Sequence, residues 1–306
     1  MEEIRVHGGL TVRTAFDFCR SVRERVRAGV RTLCLNLEGV KTTDVVGLAA
    51  LQQSARYAEG MEVRVSILPS PALHRAALDA ELLDDLPIDT GISLEPPVAA
   101  ESDAFDTPGS FLARTRRLGL RQPTWEELAL FERWAREPFL DQMVGSELLY
   151  RCRHLGPYHP EFMSLVLNDA TSLTLLVQPH DVAAPPVGFA RLYNIHLVAQ
   201  FAFLEIAVAD LHALRKGWGI EASRLLIAYA MDVLDLRRVE AKVYAYNVLS
   251  INSLRRNGFQ QEGVLREARP YDGQRWDILV FSLLAGEMLE QRKREQFPYM
   301  GFWGGG

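Results

Sequence analysis

Between Leu214 and Leu234 the chain reads LRKGWGIEASRLLIAYAMDVL, and this stretch constrains the fold more than any other. Gly217 and Gly219 flank Trp218, and two cations, Arg215 and Lys216, come just before. Beyond the loop, Leu225, Leu226, Tyr229, Val233 and Leu234 recur at helical spacing. Glycine lets backbone approach backbone or ligand closely. A glycine loop opening a helix aims unsatisfied N–H groups at one point, at the positive end of the helix dipole. The arrangement predicts an anion site, most naturally for phosphate. A loop whose glycines only permit a turn is the competing reading, so the surrounding segments must choose between them.

Composition breaks once along the chain. Residues 91–113, GISLEPPVAAESDAFDTPGSFLA, hold three prolines, several acids and little periodicity, and predict a linker. Before it the pattern is α/β. Residues 10–30 show helical spacing around Phe16, Phe18, Val22 and Val26. RTLCLNLEGV alternates as a strand through Leu33, Leu35 and Leu37. Thr43 and Asp44 can cap a helix running through Leu48, Leu51 and Tyr57 to Gly60. EVRVSILP predicts a further strand, and SPALHRAALDAELLDDL opens with a Ser-Pro helix start.

The totals exclude several classes. A net charge of -5 carries no basic footprint, so nucleic acid is not an expected partner. Cys19, Cys34 and Cys152 lie far apart, in neither a metal nor a disulfide spacing, which points to a reducing compartment. MEEIRVHGG is not a signal peptide, and no apolar run reaches membrane-spanning length. The expectation is a cytoplasmic protein with no metal and no membrane partner.

The first 90 residues resemble a STAS domain, the fold of anti-sigma factor antagonists. The resemblance rests on LCLNLEGVKTTDVVGLAALQQSARYAEGMEVRVSILPSPALHRAAL. The family's Asp-Ser-Ser-Gly-Leu turn is matched by Asp44-Val45-Val46-Gly47-Leu48. Where some members carry a phosphorylated serine, this chain has Val45, which has no hydroxyl to modify. The resemblance implies a module binding a protein partner; a structural appendage or dimerisation face is the alternative.

From residue 114 the order becomes strand, amphipathic helix (WEELALFERWAREPF), short helix (HPEFMSLVLND) and three strands (SLTLLVQ, VGFARLYNI, FAFLEIAVA). The glycine loop and its helix follow. Then come the strand RRVEAKVYAYN, a short helix ending at Gly258 and a hairpin with an Asp-Gly turn. With FLEIAV, RKGWGIEASRLL and NVLSINSLRRNGFQQEGVLRE in this order, residues 114–288 resemble the GNAT acyltransferases, specifically the ribosomal-protein N-acetyltransferase-like branch. The expected fold is α/β: a STAS-like domain over 1–90, the linker, a GNAT mixed-sheet domain over 114–288 and a basic, then aromatic and glycine-rich tail over 289–306.

This resemblance implies acetyl-CoA, or another short acyl-CoA, as donor and a small-molecule amine or peptide N-terminus as acceptor, with direct transfer in a ternary complex. It places the CoA pyrophosphate on the backbone of Leu214, Arg215, Lys216, Gly217, Trp218, Gly219 and Ile220. Leu214 departs from the Gln or Arg that usually opens the family's loop. Ala207, Val208 and Ala209 would pair with the pantetheine amides, and Asn247 would face the pantetheine arm. Glu205 matches a position that carries the base in some members; an ion pair or an exposed strand residue is its other reading. The family's tyrosine acid falls on Leu254, and Ser250 stands where a substitute serine is proposed, or only caps a helix. Residues 139–160 would wall the acceptor. A non-catalytic binding or regulatory protein is the alternative, since Val45, Leu214 and Leu254 each remove a usual functional group.

Overall fold

The structure is a computed structural model describing residues 2–88, 111–180, 184–209, 213–214 and 216–295. Arg215, residues 91–110 of the expected linker and residues 296–306 of the expected tail, with Phe302 and Trp303, lie outside the described residues. The chain divides into two compact units: Met1–Phe105 with Asn168–Ser172 and Ile195–Ala199, and the remainder.

In the first unit, β1 (Glu2–Leu10), β2 (Thr32–Thr43) and β3 (Arg64–Pro69) form a parallel sheet in that order. α1 (Ala15–Arg27) follows β1, α2 (Val45–Gly60) follows β2 and α3 (Pro71–Asp79) follows β3. Parallel neighbours need such crossover helices. Leu33, Leu35 and Leu37 are fully buried, along with Val22, Leu48, Leu51 and Ile67. The predicted Ser-Pro start is present: Ser70 accepts from the Leu73 N–H and Pro71 opens α3. The sequence reading had no strand in the first ten residues, although Ile4 and Val6 alternate there with Glu3, Arg5 and His7. Those charges obscured a period-2 signal that the parallel register with β2 makes plain.

Asp44 caps α2 as expected. Its Oδ1 accepts from the N–H groups of Val46 and Gly47 at 3.0 and 2.9 Å, and Oδ2 from Val12 at 2.9 Å. Gly47 is required by close approach, since a Cβ there would stand 1.8 Å from the Leu10 carbonyl oxygen. Burial pushes the Asp44 carboxyl up from 3.8 to about 6, against the three N–H donors that favour the anion. Folded protein therefore holds this proton more tightly than unfolded chain, and stability falls as pH rises through that window. At about 1.36 kcal/mol per pH unit, this group should remove on the order of 3 kcal/mol between about pH 4 and 6. Urea denaturation across pH should show that fall in the unmodified chain and a smaller one in Asp44→Asn; equal falls in both would clear Asp44 of this role.

The second unit is built on an eight-stranded sheet ordered β10-β11-β9-β8-β7-β6-β5-β4. Its strands are β4 (Ala113–Arg114), β5 (Leu118–Arg121), β6 (Leu173–Pro179), β7 (Gly188–His196), β8 (Phe201–Val208), β9 (Arg238–Tyr244), β10 (Gln260–Tyr271) and β11 (Gln274–Leu284). Between β5 and β6 come α4 (Leu128–Ala135), α5 (Pro138–Met143), α6 (Glu147–Leu155) and α7 (Pro160–Leu167). Phe131 anchors this part, with the rings of Trp134, Phe162 and Phe189 at 5.2, 5.9 and 5.6 Å. The helix after the glycine loop is α8 (Trp218–Asp232), lying against β5 and β8, and α9 (Val248–Arg256) follows β9. The Asp-Gly turn of the β10–β11 hairpin has positive φ at Asp272 and Gly273, as such turns demand. α10 (Ala285–Glu295) carries regular structure past residue 288, where the tail was expected to begin, and β4 opens inside the stretch read as linker.

The feature that positions the site is a failed pairing. β8 and β9 are parallel neighbours, yet their register runs only from Phe201↔Arg238 to Phe203↔Glu240. β9 stays paired with β11 as far as Tyr244, while β8 continues alone on that side to Val208. The two strands part like a fork.

Candidate active site

The start of α8 lies beside the end of β8, at the open side of that fork. Gly217 takes φ +84° and serves as the N-cap of α8, a conformation that L side chains rarely adopt. Gly219, in the first turn, lies beside β8: a Cβ there would meet Val208 Cγ2 at 3.5 Å and Ile206 Cγ2 at 3.9 Å. The first N–H groups of α8 have no acceptor within the helix. They stand at its positive end, beside the last residues of β8. Lys216 is exposed, Leu214 is half-buried and Ile220 begins the helix body.

Backbone parity separates the three β8 residues predicted for the pantetheine. The Ala209 N–H donates to the Val187 carbonyl at 2.8 Å, and the Ala207 carbonyl lies against Gly188, so both turn towards β7. At the other end of the strand, the Gln200 carbonyl accepts from Arg238 on β9. Peptide groups alternate sides along a strand. Val208 and Ile206 therefore present their backbone to the fork. Of the predicted set only Val208 does so, and Ile206, outside that set, shares this orientation.

Side chains alternate likewise. Ile206 and Val208 lie on the α8 face, and Phe203 and Glu205 on the other. There the Phe203 ring stacks on Tyr193 at 5.4 Å, Lys242 Nζ lies 5.1 Å from it, and Arg191 lies over Tyr193 at 5.4 Å. Glu205 is not the exposed strand residue of the alternative reading. Its Oε1 is buried without a hydrogen-bond partner. Burial pushes its carboxyl above the ordinary range, Arg191 and a hydrogen bond with Ser146 pull it back, and Glu147 adds to the rise. Burial likewise pushes Tyr193 up to about 12, with Glu205 contributing. Such a carboxyl, poised nearer neutrality, suits a proton acceptor.

Within the segment 139–160, residues 141–146 lie against this face. Ser146 caps α6 through the Leu149 N–H, Gly145 lies directly against the Tyr244 hydroxyl, and Tyr246 donates to the Gln142 carbonyl at 2.6 Å. Arg269 donates to the Asp141 carbonyl at 2.9 Å and lies 4.6 Å from the Tyr244 ring centroid. Asn247 is buried and engaged at both ends of its amide: Nδ2 donates to the Met143 carbonyl at 2.8 Å and Oδ1 accepts from the Ser250 N–H at 3.1 Å. It is the N-cap of α9 and ties that helix to the end of α5. Ser250, half-buried, lies in the capped turn. Ser146, Arg191, Tyr193 and Tyr244 escaped the sequence reading because they come from separate elements with no shared spacing. Glu267 is exposed, in a bulge of β10. Among the described residues no group of three or more His, Cys, Asp or Glu side chains could hold a metal ion, and no helix is long and apolar enough to cross a membrane.

Residues 117–260 match the acetyltransferase (GNAT) domain family Acetyltransf_3. Similar sequences include an uncharacterized N-acetyltransferase p20 of Bacillus licheniformis, 43% identical over 72 residues, or 24% of this chain and 40% of that protein. A probable N-acetyltransferase YjcK of Bacillus subtilis is 34% identical over 99 residues, 32% of this chain and 54% of that protein. The chain thus spans about half the length of these relatives or less. Among solved structures, spermidine N-acetyltransferase from Vibrio cholerae with CoA and spermine covers 57% of this chain and 99% of its own, at 18% identity and TM-score 0.49. Mycobacterium smegmatis RimJ with CoA-disulfide covers 58% and 89%, at 20% identity and TM-score 0.43. Residues 117–260 of this chain are thus similar to acetyltransferase (GNAT) domains.

Proposed function

We propose that the domain over residues 114–288 transfers an acetyl or other short acyl group from acyl-CoA to an amine, directly in a ternary complex. The observation that carries this is the fork between β8 and β9, with the glycine-capped start of α8 at its mouth and a buried, half-satisfied carboxylate, Glu205, on its wall. The N-acetyltransferase names of the sequence relatives agree with it.

The residues fit acyl-CoA as substrate. Backbone N–H groups at Gly217, Trp218, Gly219 and Ile220, with Lys216 alongside, receive the pyrophosphate. Val208 and Ile206 offer the strand edge to the pantetheine amides, while Ala207 and Ala209 hold that edge to β7. Asn247 keeps the fork open by fixing the start of α9. The amine nitrogen attacks the thioester carbonyl, its proton passes to Glu205 directly or through water, and the carbon–sulfur bond breaks. Ser250 stands as proton donor to the departing thiolate. The acceptor is a small amine or a peptide N-terminus, held beneath residues 139–160.

The first unit is proposed as a STAS-like module, a reading supported by its Asp44–Leu48 turn and its parallel sheet, and it binds a protein partner without phospho-control. Val45 is fully buried and has no hydroxyl, which supports constant rather than switched binding. A cytoplasmic setting is proposed, a reading supported by the three free cysteines Cys19, Cys34 and Cys152.

Acetyl-CoA at 100 times its Kd should stabilise the chain by about 2.7 kcal/mol. An amine panel should then release free thiol. Stabilisation without thiol release for any amine would favour the second reading, a non-catalytic acyl-CoA-binding protein, which the Leu214 and Leu254 departures recommend. The absence of both effects would remove the acyl-CoA assignment.

A further inference from the structure

Arg117, just before β5, reaches the glycine loop from almost a hundred residues away. Its Nη2 donates to the Lys216 carbonyl at 2.7 Å, and Nη1 lies 3.4 Å from Glu221 Oε2. The guanidinium carbon is 4.6 Å from the Trp218 ring centroid. Nη1 is also 3.8 Å from where a Cβ on Gly217 would stand. These distances set a cation at the mouth of α8. That is an adverse place for it, because the helix end is itself positive. Glu221 offsets part of this, and the Thr115 hydroxyl holds the other oxygen of Glu221, fixing the carboxylate. The Arg117 side chain nevertheless remains 51% exposed. A guanidinium has five N–H donors, more than these contacts use, in a planar fork that matches phosphate oxygens.

We infer that Arg117 is a direct ligand of the diphosphate of the acyl-CoA substrate, supplying from β5 the cation that Leu214 does not supply from the loop. The inference rests on the acyl-CoA reading above. Trp218 then has a defined part: its ring holds the guanidinium in place. An anion at the helix mouth meets the first-turn N–H groups and the guanidinium together, and so offsets the positive charge of both.

The test measures CoA affinity by calorimetry at several salt concentrations. Arg117→Met keeps the stem over Trp218 and removes the charge; it should weaken CoA roughly 10- to 100-fold and flatten the salt dependence. Arg117→Lys, the second variant should Arg117→Met not fold, should keep the salt dependence but recover only part of the affinity. Glu221→Gln separates a ligand from a brace. If Arg117 serves only to hold the loop through Glu221, Glu221→Gln reproduces the loss. If Arg117 binds the anion, Glu221→Gln binds CoA as tightly as the unmodified chain or tighter. Unchanged affinity or unchanged salt dependence in Arg117→Met, or an equal loss in Glu221→Gln, overturns the inference alone. No CoA binding by the unmodified chain overturns it together with the acyl-CoA reading.

Discussion

Glu205→Gln should lower kcat/KM at neutral pH by roughly 10²-fold or more, with little change in affinity for acetyl-CoA. The reason lies in what glutamine preserves and what it removes. It keeps the volume on the β8 wall and a hydrogen-bond acceptor for Ser146, but it cannot take a proton. At neutral pH an alkylamine arrives as ammonium, and the nitrogen must lose a proton before or during attack. Burial raises the Glu205 carboxyl, while Arg191 and Ser146 limit the rise and Glu147 adds to it. The acid limb of the wild-type pH–rate profile should therefore lie above the ordinary carboxylate range. Below that limb the carboxyl is protonated and the two proteins converge. At high pH the amine is already neutral, so the deficit of the variant should shrink again. A ratio of rates that stays flat across the whole range would remove Glu205 from the base role and leave it as a buried structural acid.

Gly217→Glu should weaken acetyl-CoA binding on the order of 10²-fold or more, enough to erase the thermal shift at ordinary ligand concentrations. Two effects combine. Gly217 sits at φ +84°, where a side chain is strained by roughly 1–2 kcal/mol. A carboxylate would also stand at the helix mouth and compete for the N–H groups meant for the diphosphate. Controls separate the two. Asparagine tolerates left-handed φ and is neutral, so Gly217→Asn should bind nearly as well as the parent. Gly217→Ala has strain without charge and should fall between. The nearest side-chain atom to a Cβ at Gly217 is 3.8 Å away, so steric clash is not the expected cause of any loss. Gly217→Glu binding as tightly as Gly217→Asn would show that the anion site is elsewhere.

Local features were legible in the sequence. The glycine loop, the Asp44 and Ser70 caps, the αL stop at Gly258 and the Asp-Gly hairpin turn are each set by a residue's own backbone preferences or a hydrogen bond three residues away, so no distant partner is needed to read them. The strands carrying Leu33, Leu175 and Ala241 were legible because burial on a sheet face imposes a period of two. β1 was not read, since its outward charges dominate a short segment whose role is decided by pairing with β2. The site shows the division most sharply. Glu205 and Gly217 came from ordered motifs, but which β8 residues face the fork depends on where pairing with β9 stops, and no residue in either strand encodes that alone. Arg117 meets Trp218, and Ser146 meets Glu205, only because the sheet brings β5 to α8 and the α5–α6 turn to β8. Sequence determined what each segment can be, through short-range sterics and periodicity. Tertiary structure decided which charges meet, because that depends on register and packing between elements far apart along the chain.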